Sequence, residues 1–91
     1  VWAALPTTIG PDGISADNEG AIWCANATAP ECVRVAKGGE ILARVETSMN
    51  AFCCALGGDD GRTLFIATAE AKVDGSGVVG MIEAVRVQVP G

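Results

Sequence analysis

The chain has 91 residues and a net charge of −5, with 49% hydrophobic and 19% charged residues. This length provides one small domain or part of a larger one, and the apolar content predicts a folded chain rather than a disordered one. No basic run could follow a phosphate backbone, and no apolar stretch reaches the roughly 18 residues of a membrane helix, so neither nucleic acid nor membrane is expected as a partner.

Glycine and proline divide the chain into segments that have the length of β-strands rather than helices. The clearest lies near the end, where Val85, Val87 and Val89 alternate with polar residues, the period-two pattern of a sheet with one exposed face. In chain order, the predicted strands are Trp2–Leu5, Gly13–Ala16, Ala21–Ala25, Cys32–Ala36, Glu40–Glu46, Ala51–Leu56, Thr63–Ala69 and Met81–Val89.

The segments between these strands predict how they are connected. Gly38-Gly39 is typical of a two-residue hairpin turn, so consecutive strands are expected to be antiparallel neighbours. Segments 51–56 and 64–67 are apolar at every position, which is typical of strands covered on both faces. The longer Gly-rich segment 71–80 predicts either a flexible loop or an extended surface hairpin.

An internal repeat indicates the architecture. Residues 17–27 align with residues 59–69, with the glycines Gly20 and Gly61 matching at a shift of 41 and Trp23 and Phe65 at a shift of 42. A period of about 42 residues with four short strands is typical of a propeller blade. The sequence therefore predicts an all-β chain of antiparallel four-stranded blades, about two blades of a β-propeller.

One stretch also fits a helix, because residues 41–56 place apolar side chains at helical spacing. In the first repeat, however, the segment equivalent to residues 46–52 contains Pro6, Gly10 and Pro11, which a helix accepts poorly. The repeat therefore favours strands.

The repeat divides the single partial domain 1–91 into three parts. Residues 1–11 form the outer strand and linker of a preceding blade, 12–46 the penultimate blade, and 47–91 an incomplete last blade. Two blades leave apolar faces uncovered, and repeat arrays generally need about three or more units. The expected partner is therefore the remainder of the propeller or further copies of the chain, three of which would supply six blades.

The four cysteines do not form a zinc pattern, because the sequence contains no His and no C-x-x-C pair. They predict free buried thiols in a reducing, cytoplasmic compartment, with a Cys24–Cys32 disulfide as the alternative. The Asn26-Ala27-Thr28 sequon would matter only in a secreted protein. The chain opens without Met or a charged leader, which suggests a piece cut from a longer protein.

A family resemblance rests on motifs that occur in order along the chain. The segment Pro11-Asp12-Gly13-Ile14-Ser15-Ala16-Asp17, followed by Ile22-Trp23-Cys24-Ala25, is similar to a penultimate blade of the gluconolactonase/regucalcin (senescence marker protein) family. Segments 54–58, 60–65 and 84–91 resemble its last blade and C-terminal strand. The resemblance implies a six-bladed propeller with a divalent metal in the central channel, and hydrolysis of sugar lactones.

The resemblance assigns Asp12 as a metal ligand and as a candidate general base. The implied ion is calcium first, with zinc, manganese or magnesium as alternatives. The family's other ligands lie in segments that this chain does not contain, so its site is expected to be incomplete. The residues alone favour a different interpretation, in which Asp12 between Pro11 and Gly13 is a turn residue that bonds nearby backbone, and only the resemblance favours the metal site. Cys53 is predicted to occupy the equivalent position in the second repeat.

Two functions follow from these expectations. The chain is expected to be the C-terminal part of a metal-dependent lactonase, or else a noncatalytic structural module that oligomerises or binds partners. The remaining conspicuous side chains receive structural interpretations. Asp17, Asp59 and Asp60 are read as solvated turn residues, Trp2, Trp23, Phe52 and Phe65 as blade core, and Arg62 and Arg86 as surface charges.

Overall fold

The computed structural model describes all residues, Val1–Gly91, and consists of β-strands without a helix. No helix is therefore available that could cross a membrane. The strands are β1 Pro11–Ala16, β2 Ile22–Asn26, β3 Glu31–Val35, β4 Ile41–Glu46, β5 Ala51–Gly57, β6 Thr63–Ala71 and β7 Val78–Arg86.

The strands form two antiparallel sheets in simple sequence order. The first sheet contains β1, β2, β3 and β4, and the second contains β5, β6 and β7. The all-β, antiparallel prediction is confirmed. The hairpin turn between β3 and β4 contains Gly38 and Gly39 at φ of 98° and 111°, a left-handed conformation that glycine adopts without steric cost.

The ends of the chain differ from their predicted strands. Trp2–Leu5 is not a strand, because only Ala3 forms a bridge, to Gly38, and no neighbouring strand continues the pairing. Segment 71–80 is the tip of a surface hairpin, so β7 begins at Val78 instead of residue 81. After Arg86 the ladder ends, and the tail continues as an irregular segment.

The main core lies between the two sheets, which pack face to face. Leu64 and Ile66 of β6 are 0% and 1% exposed there, against Trp23 of β2 at 3%. Burying an aliphatic side chain of this size contributes about 1.5–3 kcal/mol, so this contact holds the sheets together. The other buried members are Ala25, Cys32, Ala51 and Cys54.

A smaller core covers the opposite face of the first sheet. Ile9 packs there against Cys24, Val33 and Val35, and the partly buried Leu5 lies beside them. The N-terminal residues are therefore attached to the first sheet, on the side away from the second sheet.

The outer face of the second sheet has no cover within this chain. Phe65 is 40% exposed and Ile82 is 72% exposed. Within the single chain, segments 51–56 and 64–67 therefore lack the cover expected on their second face, which agrees with the expectation that two blades leave apolar faces uncovered. The blade-core interpretation holds for Trp23, but Trp2, Phe52 and Phe65 are exposed, because the surfaces that would cover them are not part of these two sheets.

Candidate functional site

The first strands of the two sheets, β1 and β5, lie side by side. The amide of Leu56 donates a hydrogen bond of 3.1 Å to the hydroxyl of Ser15. A Cβ added at Gly13 would lie 2.8 Å from Cα of Cys53, closer than real Cβ atoms approach backbone. Glycine at this position therefore allows the two strands to meet at backbone distance.

Asp12 lies in a β-bulge next to this contact. The ladder between β1 and β2 pairs Pro11 with Asn26 and then Ile14 with Cys24, so β1 carries one extra residue between the pairs. Bulges occur frequently beside active sites, because they redirect a side chain. Asp12 is exposed. The sequence therefore presents a carboxylate to solvent at the start of the first strand.

Cys24 lies beside Asp12, and the backbone of Phe52 and Cys53 lies next to Gly13, the residue that follows Asp12. The thiol of Cys24 forms a hydrogen bond with the backbone of Asp12, while burial raises the pKa of this thiol above its ordinary value. Phe52 and Cys53 are exposed on the neighbouring strand. No group of three or more His, Cys, Asp and Glu side chains that could hold a metal ion is present.

The residues around Asp12 thus fit a divalent metal ion only in part. A carboxylate is a suitable hard donor, but calcium takes roughly six to eight oxygen ligands, and the chain gathers no group of three or more candidate ligand side chains. Protonated, buried Cys24 is not a ligand for such an ion. These residues do not hold a catalytic metal by themselves, and no reaction step through a metal follows from them.

The register corrects the predicted equivalent of Asp12. The ladder of β5 pairs Ala51 with Thr68 before its bulge and Cys53 with Ala67 after it. The extra residue in β5 is therefore Phe52. Equivalent residues of β1 and β5 are 40 positions apart in the sequence, whereas equivalent residues of β2 and β6 are 42 positions apart. The residue equivalent to Asp12 in the second sheet is therefore Phe52 and not Cys53.

Asp17 is buried and ion-paired, so its interpretation as a solvated turn residue is wrong. Its carboxylate lies 2.7 Å from Nε of Arg34 and accepts the backbone amides of Glu19 and Ala21. Burial by itself raises the pKa of Asp17, but Arg34 and the two amides outweigh burial and hold the pKa below its usual value. Arg34 lies directly opposite Trp23 in the ladder, although it is eleven residues further along the sequence. The spacing of the residues in the sequence therefore could not reveal that Arg34 pairs with Asp17.

The turn residues of the second sheet are exposed, as predicted. Asp60 accepts two hydrogen bonds from the guanidinium of Arg86, at 2.6 and 3.0 Å. This pairing lowers the pKa of Asp60 to about 2. Arg86 and Arg62 lie at the surface, and no acidic cluster forms around them.

All four cysteines are free thiols, as the sequence predicted, but only Cys24, Cys32 and Cys54 are buried. The predicted burial is wrong for Cys53, which is exposed. Cys32 pairs with Ala25 and Cys24 with Val33, so the thiols of Cys24 and Cys32 lie on opposite faces of the sheet. The alternative of a Cys24–Cys32 disulfide is therefore wrong. A hydrogen bond to Cys54, together with burial, raises the pKa of Cys32 well above its ordinary value, so this thiol stays protonated.

The sequon has a structural role. Asn26 is fully buried, and its amide nitrogen donates to the carboxylate of Glu31 at 2.8 Å and to the carbonyl of Thr8 at 3.3 Å. Its amide oxygen accepts from Gly10 and Thr28. This network fixes the approach to β1 and keeps the Asn26 side chain buried in the folded chain.

Two antiparallel sheets, packed face to face with their first strands in contact, define two blades of a β-propeller. Among solved structures, luciferin-regenerating enzyme matches with a TM-score of 0.74 at 21% identity, over 89% of this chain and 29% of that chain. At this identity the match shows the shared fold, and the chain spans less than a third of that protein's length.

Sequence comparison identifies the family. The model described as SMP-30/gluconolactonase/LRE-like region matches residues 1–70. The chain therefore belongs to this family, as the motif resemblance predicted. No significant match is found among curated protein sequences.

Proposed function

We propose that this chain is part of a metal-dependent hydrolase of sugar lactones, in which Asp12 contributes one metal ligand or acts as the general base. The observation that carries the proposal is the position of Asp12. It is an exposed carboxylate in a bulge at the start of the first strand of a gluconolactonase-like blade. The proposed ion is calcium, with zinc, manganese and magnesium as alternatives.

The difference between the two blades supports this role. The bulge of the second blade carries Phe52 where the first carries Asp12, so the carboxylate is not required by the blade fold itself. Gly13 and the hydrogen bond between Ser15 and Leu56 hold β1 against β5 and thereby fix the strand that carries Asp12. An exposed carboxylate held in this way can accept a proton from water that attacks a lactone carbonyl.

The remaining ligands and the substrate contacts would come from outside these two blades. The chain forms no group of three or more His, Cys, Asp and Glu side chains that could complete a metal site. The proposal therefore assigns them to the rest of a longer protein or to further copies of this chain, and it places the reaction in an assembled propeller.

The test is lactone hydrolysis by the purified chain with calcium, zinc, manganese or magnesium added, compared between wild type and Asp12→Asn. A positioned general base contributes about 10²–10⁴-fold, so the metal-dependent rate is expected to fall by at least about 10²-fold in the variant. Asp59→Asn removes an exposed carboxylate in the turn after β5, beyond the end of the strand opposite to Phe52, and is expected to keep the full rate. Equal rates for wild type and Asp12→Asn would exclude Asp12 from the reaction.

The second candidate is a noncatalytic module that oligomerises or binds other propeller segments. The exposed apolar face of the second sheet, with Phe65 and Ile82, favours it. Absence of metal-dependent hydrolysis in wild type, combined with a stable assembly, would support this candidate instead of the lactonase.

A further inference from the structure

We propose that the buried cysteines Cys24 and Cys54 are positioning residues for Asp12, because their sulfur atoms bridge the β-bulge of β1 to the residue that faces it, Ala25. The bridges themselves rest on contacts among β1, β2 and β5 alone. Their consequence for lactone hydrolysis rests on the proposed function.

The bulge interrupts the regular ladder between β1 and β2 at the position of the carboxylate. Asp12 and Gly13 of β1 together face the single residue Ala25 of β2. A bulge leaves its extra residue unpaired and disrupts the ladder locally. Ala25 is fully buried, so the backbone groups at this position need partners other than water.

The sulfur of Cys24 forms the first bridge across the bulge. Its thiol donates to the carbonyl oxygen of Ala25 at 3.5 Å, and the same sulfur forms a hydrogen bond with the backbone of Asp12. The backbone of Asp12 favours the thiolate form of Cys24, so its amide N–H is the donor to the sulfur. A thiol that both donates and accepts therefore links the two strands where the ladder is disrupted.

The sulfur of Cys54 forms the second bridge from the neighbouring strand β5. Its thiol lies 3.5 Å from the carbonyl oxygen of Gly13 and 3.5 Å from that of Trp23, so the two oxygens share one donor. The backbone of Ala25 forms a hydrogen bond with the same sulfur. The thiol of Cys32 also bonds to it and holds it in place.

The two sulfurs approach the bulge from opposite faces of the first sheet. Cys24 belongs to the smaller core and Cys54 to the main core between the sheets, and both are nearly inaccessible to solvent. Asp12 itself is exposed. The bulge is therefore held from both sides through its backbone, while the side chain of Asp12 faces solvent.

The bulge of the second blade is built without the sulfur of Cys24. At the shift of 42 positions that relates β2 to β6, Cys24 corresponds to Ile66, whose buried side chain has no hydrogen-bonding group. The extra residue in that bulge is Phe52 instead of Asp12. A bulge of this kind therefore forms without the Cys24 bridge, and the bridge occurs in the blade that carries the carboxylate.

The bridges matter for chemistry because a general base acts only when it is held in the correct orientation. Misplacement of a catalytic group by about 1 Å can lower a rate by about 10²-fold. Loss of the Cys24 sulfur is expected to loosen the backbone of Asp12 while the two sheets remain folded. The proposed reaction should then lose turnover rather than substrate affinity, because Cys24 is buried and does not reach the substrate.

The test is amide hydrogen exchange, followed by NMR for each residue and compared with the other amides of the first sheet. In Cys24→Ala the amide of Asp12 is expected to exchange about 3–10-fold faster, as for the loss of one modest hydrogen bond. Cys24→Ser keeps a donor and an acceptor and is expected to restore the wild-type rate. Val33→Ala is the matched control, because Val33 pairs with Cys24 and lies in the same small core; it is expected to leave the amide of Asp12 unchanged relative to the sheet. Cys54→Ala is expected to accelerate the amide of Ala25 in the same way.

Lactone hydrolysis with added metal gives a second measurement. In Cys24→Ala, kcat is expected to fall by at most about 10²-fold at an unchanged KM, and Cys24→Ser is expected to recover it. If the amide of Asp12 exchanges in step with the rest of the sheet in Cys24→Ala, or accelerates equally in Val33→Ala, the positioning role is overturned even for an active lactonase. Selective acceleration in a chain that hydrolyses no lactone would refute the proposed function and leave the sulfur bridges in place.

Discussion

Substitution of Gly13 by alanine is expected to destabilise the chain by forcing the two blades apart. The added Cβ would lie 2.8 Å from Cα of Cys53 and 3.0 Å from the carbonyl oxygen of Phe52. Both obstacles are backbone atoms, so no side-chain rotation relieves the contact. Overpacking of this kind typically costs about 1–3 kcal/mol, and the free energy of unfolding is expected to fall by this amount.

The matched control is Gly80→Ala in β7. Neither glycine has a positive φ, and a Cβ at Gly80 meets only the carbonyl oxygen of Thr68 at 3.8 Å. This variant is expected to gain about 0.4–1 kcal/mol, because alanine has less conformational freedom in the unfolded chain. The measurement is urea unfolding followed by Trp fluorescence, at one protein concentration for all variants. If Gly13→Ala proved as stable as Gly80→Ala, the inferred backbone contact between β1 and β5 would be wrong.

Further outcomes are expected for Asp17, for Leu64 and for the cysteines. Asp17→Asn removes the ion pair with Arg34 and should lower the free energy of unfolding by about 3 kcal/mol in denaturant titrations, at the lower end for a buried pair because Arg34 is partly exposed. The pKa of Asp17 is lower in the folded chain than its unfolded value of about 3.9. Its contribution to stability is therefore present above that pH and is lost as the pH falls through the folded pKa. An acid titration in which wild type and Asp17→Asn lose stability in parallel below about pH 4 would contradict this. Leu64→Ala empties a fully buried site and should cost about 2–5 kcal/mol by the same titration, whereas a cost below about 1 kcal/mol would show that the sheets do not pack through this residue. In the folded chain, a thiol reagent should modify Cys53 first and the three buried cysteines only after unfolding. Mass spectrometry that finds all four modified at equal rates would refute the assigned burial.

Local sequence patterns predicted much of the fold. The alternation around Val85 identified a strand near the end, and Gly38-Gly39 identified a hairpin turn, because both depend on residues adjacent in the chain. The motif around Asp12 identified the family and its candidate carboxylate. These features depend on the type and spacing of side chains along the chain, which no long-range contact changes.

The residue equivalent to Asp12 could be identified only from the register of the paired strands. The repeat of the sequence suggested Cys53 as the equivalent of Asp12, but the bulges in two ladders place Phe52 there. A bulge adds one residue to one strand only, so its position is defined by the partner strand and cannot be read from a single segment.

The sequence by itself determined that this chain is a set of short antiparallel strands with two related halves, since period, turn residues and apolar content are local properties. Only the tertiary structure determined which faces of the two sheets are buried. It buried Asp17 against Arg34, separated Cys24 from Cys32, and left Phe65 and the edge of β7 uncovered. Burial and pairing depend on residues that are distant in the chain and meet only when two sheets stack, which is why the sequence could not supply them.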